Sequence, residues 1–144
     1  MPAPVDLLQR VPLFQNLERR DLERIARSLR ERTFQAGQTV TTEGQGGVGF
    51  FVIESGEATV TQAGEERGKI RSGDHFGEIA LIGETDRTAT VTADTDLKCW
   101  GMTFWEFRPL VEENSTIAWN MLQGMAKMLS RQQSESQRPH SQQD

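Results

Sequence analysis

The residues able to do chemistry are concentrated in one stretch, FGEIALIGETDRTATVTA at 76–93. Gly77 and Glu78 open a short apolar helical turn, and Arg87 and Thr88 open a run that alternates like a β-strand. Glycine at 77 lets the backbone approach a ligand closely. The helical turn Glu78-Ile-Ala-Leu presents N-terminal amides whose partial positive charge favours a phosphate oxygen. Arg87 adds a rigid fork of donors that can grip phosphate through two bonds at once. Glu78 repels an anion and suits a hydroxyl donor such as a ribose 2′-OH, with a guanidinium nearby keeping it ionised. The set fits a small ligand carrying both a phosphate and a sugar hydroxyl. An internal Glu78–Arg87 ion pair, tying a loop to a strand, is the competing reading of the same residues.

The elements that must hold these residues are mostly strands. From Arg32 to about Met102 short β-branched or aromatic runs alternate with glycines at 37, 44, 46, 47, 56, 64, 68, 73, 77 and 83. Such glycines supply the positive-φ corners of tight antiparallel turns. Regular short strands argue for a closed antiparallel barrel or jelly roll. The fold class expected is therefore α+β, mainly β: an antiparallel jelly roll (a double-stranded β-helix) with N-terminal helices and a long C-terminal helix. The cluster Gly44-Gln-Gly-Gly reads as a long hairpin, with a phosphate nest as the alternative.

Helices flank the strands. Leu17, Leu22, Ile25, Ala26 and Leu29 fall at helical spacing, with Asn16 and Glu18 expected at the N-terminal cap. Thr103 and Glu106 have capping-box spacing ahead of a short helix. A second helix is expected from about Glu113 to Arg131. It carries two stripes, Ala118/Leu122/Met125/Leu129 and Ile117/Met121/Gly124/Met128, so one can pack on the barrel and the other on a second copy, with a single broad core-facing stripe as the alternative. Gly124 would allow close helix approach. The domain is expected to span 1–132, with the barrel at about 32–102 and the C-terminal helices at about 104–131. Residues 133–144 read as a disordered polar tail.

The 144 residues suffice for one domain with a real core. Sixteen Lys and Arg against 21 Asp and Glu give a net charge of −5, which argues against a general nucleic-acid or membrane-surface binder. The lone Cys99 reads as a small buried strand residue. The only histidines, His75 and His140, make neither a metal cluster nor a nucleophile–base set, so no enzyme and no metal are expected. No stretch is long and apolar enough to span a bilayer and the start lacks a signal peptide's pattern, so a cytoplasmic location is expected.

The stretch at 76–93 resembles the phosphate-binding cassette of cyclic nucleotide-binding domains, whose pattern runs F-G-E-x-A-L, a short loop, then R-[TSA]-A-x-V-x-A. The match is at Phe76, Gly77, Glu78, Ala80, Leu81, Arg87, Thr88, Ala89, Val91 and Ala93. The resemblance extends to VPLF at 11–14, F-x-x-G at 34–37, FVIESGE at 51–57 and F-x-x-L-V-E-E-N at 107–114, the last similar to catabolite-activator-type sensors. It implies that Gly77, Ile79 and Ala80 line a cyclic phosphate, that Glu78 accepts the ribose 2′-OH, and that Arg87 pairs with the phosphate. It implies further that Thr88 bonds the phosphate or base edge, and that Val60 is an apolar wall for the purine. Leu129, Gln132 and Gln133 would cap the base from the C-terminal helix. The ligand implied is cAMP, with cGMP second. The implied protein is a stand-alone regulatory sensor, homodimeric through its last helix and acting on a downstream effector, with no direct DNA binding and no membrane. A domain-like scaffold that binds no nucleotide is the alternative. Two departures matter: Asp86 stands before Arg87 where many members have proline, and no DNA-binding or enzyme module is recognisable in the sequence.

Overall fold

The computed structural model describes residues 3–41, 49–77 and 89–136. A helical layer comes first: α1 (Val5–Leu8), a 3-10 turn (Pro12–Phe14) and α2 (Arg19–Ser28). Eight strands follow: β1 (Arg30–Phe34), β2 (Thr39–Thr41), β3 (Gly49–Ser55), β4 (Glu57–Gln62), β5 (Glu65–Arg71), β6 (His75–Phe76), β7 (Thr90–Ala93) and β8 (Leu97–Thr103). Two helices close the chain, α3 (Phe104–Glu113) and α4 (Ser115–Ser136).

The strands form two antiparallel four-stranded sheets, ordered β1-β8-β3-β6 and β2-β7-β4-β5. This is the expected jelly roll. Non-sequential neighbours such as β1/β8 and β2/β7 bring distant segments together, as a double-wound antiparallel sandwich requires. Of the glycines expected at corners, 37, 56, 64, 68, 73 and 77 have positive φ, while 44, 46, 47 and 83 lie outside the described residues. Gly56 shows why the residue type is fixed. It turns β3 into β4 at φ +100, and a side chain there would collide with the Asp96 carbonyl.

Sheet one is covered on both faces, which explains the unbroken apolar run in β3. Phe50 and Val52, with Trp100 and Met102 of β8, face the helices, where Phe14, Ile25, Phe107, Ile117 and Met121 join them in one core. Phe14 is its hub, edge-on to Phe50 at 5.7 Å and 6.4 Å from Phe107. Phe51, Ile53, Leu97 and Cys99 point the other way and meet Ala58, Val91 and Ala93 of sheet two. Period-two alternation thus divides a single strand between two cores.

The helical expectations hold in part. Leu17, Leu22, Ile25, Ala26 and Leu29 are all buried. Thr103 caps α3 reciprocally: its Oγ1 accepts from the Glu106 amide at 3.1 Å, and Glu106 Oε1 accepts from the Thr103 amide at 3.0 Å. Three details differ. Glu18 occupies the cap position of α2 without a side-chain bond, and Asn16 bonds to α4 instead. The last helix begins at Ser115 because Asn114 leaves helical geometry and turns its amide onto the Leu110 carbonyl at 2.8 Å. It also runs to Ser136, so residues 133–136 continue the helix instead of opening the tail; 137–144 lie outside the described residues.

The two stripes of α4 separate in part, with Met125 of the first stripe also packed on the core and Gly124 serving the protein's own body. Ile117, Met121 and Gly124 are buried against it, and a Cβ on Gly124 would lie 3.3 Å from Asn16 Cβ. Leu122 and Leu129 on the other stripe are 57% and 58% exposed. Between α3 and α4 an apolar groove of about 490 Å³ is lined by Phe104, Phe107, Val111, Ala118, Leu122 and Met125.

Candidate functional site

The two ends of the cassette are anchored in different sheets. Its entrance is β6, an edge strand of sheet one held by the pairs Phe51↔Phe76 and Val52↔His75. Its exit is β7 in sheet two, paired with β4 from Thr90 to Ala93. Glu78, Ile79, Ala80, Arg87 and Thr88, with Asp86, lie outside the described residues.

Gly77 immediately follows β6 at φ +83. That left-handed conformation strains any residue with a Cβ, so glycine is fixed here by the backbone. Val60 sits on β4 opposite Val91 and Gly68. It is half-buried and packs on the inter-sheet cluster with Val40, Ile70 and Phe76. Val60 and the cassette's entrance residue Phe76 therefore meet the same inter-sheet cluster from opposite sheets. Leu129, Gln132 and Gln133 are exposed on the last turns of α4.

The entrance is packed in a way the motif does not reveal. Phe76 stacks on Phe51 at 5.2 Å with 27° between planes, and Phe34 meets Phe51 edge-on at 6.2 Å. The Phe51 ring fills the space a side chain on Gly101 would need. The available signal was Gly101 itself, an isolated glycine inside the strand pattern CWGM, which marks close approach.

Charges on the described surface are arranged outside this face. Thr59 Oγ1 donates to Asp94 at 2.7 Å and Lys69 lies 3.3 Å from the same oxygen. The Thr59 hydroxyl first, and Lys69 with it, hold the Asp94 carboxyl below its usual range. Trp100 Nε1 donates to Glu54 at 2.7 Å and Lys98 stands 3.1 Å from its other oxygen. Together they lower the Glu54 pKa, the indole bond acting most strongly. Glu54 in turn raises that of Lys98. Burial alone pushes the Cys99 thiol up to about 12, leaving a neutral core residue as the sequence suggested. Among the described residues no three His, Cys, Asp or Glu side chains gather where they could hold a metal ion. Nor is any described helix long and apolar enough to cross a membrane.

Comparison with known proteins agrees with this geometry. The family model for the cyclic nucleotide-binding domain matches residues 31–114, more than half of the chain. A cAMP-dependent protein kinase regulatory subunit from Yarrowia lipolytica is 41% identical over 93 residues, which is 63% of this chain and 25% of that protein. The corresponding subunit from Schizosaccharomyces pombe is 43% identical over 95 residues, 64% of this chain and 23% of that one. The chain thus spans about a quarter of the length of these relatives. In structure it is similar to the N-terminal domain of a transcriptional regulator from Streptomyces coelicolor A3(2). The TM-score is 0.82 at 26% identity, covering 88% of this chain and 94% of that one. With the jelly roll, the left-handed glycine at the cassette's entrance and a family match over all eight strands, the chain belongs to the cyclic nucleotide-binding domain family.

Proposed function

We propose that this chain is a regulatory sensor that binds cAMP, with cGMP as the alternative ligand, through its cassette. Gly77, Ile79 and Ala80 present amides to the cyclic phosphate, Arg87 pairs with it, and Thr88 donates to the phosphate or the base. Glu78 accepts the ribose 2′-OH, Val60 backs the purine, and Leu129, Gln132 and Gln133 cap it. The observation that carries this reading is Gly77. It takes its left-handed turn at the edge of sheet one, directly after Phe76, which packs with Val60 on the inter-sheet cluster. The relatives are regulatory subunits of a cAMP-dependent protein kinase, which supports cAMP and a protein effector.

Signalling then runs through α4. The helix rests on the 3-10 turn and α3, and its polar ties to Asn16 are reversible. Nucleotide moves α4 only to the extent that it binds the two arrangements with different affinity. The exposed Leu122 and Leu129 stripe supplies a surface for a second copy, making the sensor a homodimer in the cytoplasm.

Titration calorimetry of the full chain with cAMP and cGMP tests the reading. Removing the guanidinium with Arg87→Ala strands a buried phosphate charge and costs about 2–5 kcal/mol of binding. That is roughly thirty-fold to several-thousand-fold in affinity. Unchanged affinity in the variant sinks the assignment of Arg87. No heat and no rise in melting temperature with either nucleotide at millimolar concentration would favour a nucleotide-free scaffold.

A further inference from the structure

We infer that Gly101 is a positioning residue for the nucleotide, acting through Phe51 and Phe76 on Gly77. The inference rests on the reading of Gly77 as a phosphate contact. Arg30, Gly101, Phe51 and Phe76 form one cross-strand row over β1, β8, β3 and β6. Gly101 lies mid-strand in extended backbone, so its conformation does not call for glycine. Space does. A Cβ at 101 would stand 2.8 Å and 2.9 Å from the Cε1 and Cδ1 atoms of Phe51 and 3.4 Å from the Phe50 carbonyl. The ring leans into the place of the missing side chain.

The ring also has little room to retreat. Phe51 is buried, Phe76 is stacked on it and Phe34 meets it edge-on. A methyl group at 101 therefore displaces the ring onto its partners, because close-packed interiors transmit strain instead of absorbing it. Of these partners Phe76 is the least restrained. Its strand is two residues long, tied by two cross-strand pairs, and the next residue is Gly77 at φ +83. A shift of Phe76 thus reaches the amide of Gly77 across one peptide bond. Small misplacements of a contact group lower affinity steeply.

The test uses the full chain. cAMP is titrated by calorimetry into the wild type, Gly101→Ala, Phe76→Leu and the double variant, each verified as folded and well below its melting temperature. The Gly77 amide resonance is recorded in the nucleotide-free proteins. Gly101→Ala is expected to bind about ten-fold more weakly and to shift that resonance. Phe76→Leu is expected to bind more weakly too, and adding Gly101→Ala to it costs less than about three-fold, because the stack that transmits the strain is gone. A purely structural glycine lowers the melting temperature and leaves the affinity of folded molecules unchanged. Wild-type affinity in folded Gly101→Ala, or full additivity in the double variant, overturns the inference. Should Gly101→Ala fail to fold, wild-type affinity in Phe76→Leu overturns it equally. A wild type that binds neither cAMP nor cGMP removes the proposed function and this inference with it, whereas a binding wild type beside an unaffected Gly101→Ala removes this inference alone.

Discussion

Asn16 and Lys127 clasp the last helix onto the N-terminal layer: Lys127 Nζ donates to Asn16 Oδ1 at 2.8 Å, while Asn16 Nδ2 donates to the Asn120 carbonyl at 3.2 Å. Gly124 lies one turn beyond Asn120, and its lack of a side chain lets Asn16 sit against α4. Beneath this polar clasp Ile117 and Met121 supply the apolar contact. The burial holds α4 to the body, and the clasp fixes where along its length it sits.

Replacing Asn16 with Ala is therefore expected to cost about 1 kcal/mol, the net worth of partly exposed hydrogen bonds. The loss falls locally. Hydrogen exchange should show faster opening of α4 amides around Asn120–Lys127, with sheet amides unchanged. Uniform acceleration across the sheets would show that the clasp does not act on α4.

Much of this arrangement was legible from the residues. Turn glycines, alternating runs and the capping box gave the jelly roll, the cap of α3 and the two stripes of α4, because each is a local rule that tertiary packing did not override. Asn16 was misread for the opposite reason. Its type suits a helix cap, and only the fold brings it to a helix 104 residues away in sequence. The cassette's residue types were visible, while Phe51, Phe76 and Gly101 became a group only through strand order, since β8 and β6 flank β3 across long connections.

Glu54 predicts a pH signature. Its pKa is lowered from 4.5, first by the Trp100 indole bond and then by Lys98. A depressed carboxylate stabilises the fold above its unfolded pKa, and that stabilisation is lost as pH falls through the folded value. Glu54→Gln keeps the shape but not the charge. It should be less stable than the wild type by about 1 kcal/mol at neutral pH. The gap should close in urea titrations at pH values below the usual glutamate range. A gap that persists in acid would mean the carboxylate's charge contributes nothing.

Cys99 titrates in the other direction. Burial raises its thiol to about 12 from 9.0, so the folded protein holds it neutral. Stability is unaffected below about 9 and falls as pH rises toward 12, because the unfolded thiol ionises first. A thiol-specific disulfide reagent should react with native protein only as fast as the sheet opens, and promptly in denaturant. Prompt reaction under native conditions would place the sulfur outside the core.

The proposed homodimer would pair through Leu122 and Leu129. Both are more than half exposed on α4, and Leu122 lines the apolar groove between α3 and α4. Each leucine buried in an interface is worth about 1.5–3 kcal/mol, and a two-fold pairing buries each twice. The double variant Leu122→Glu, Leu129→Glu replaces that gain with charges that cannot be buried unpaired. Neither side chain supports the monomer's core, so circular dichroism and the melting temperature at high dilution should change little. Sedimentation should then show the wild type passing from dimer to monomer on dilution, with the variant monomeric throughout. A wild type that is monomeric at every concentration, or a variant that still pairs, would remove the stripe as the dimer contact.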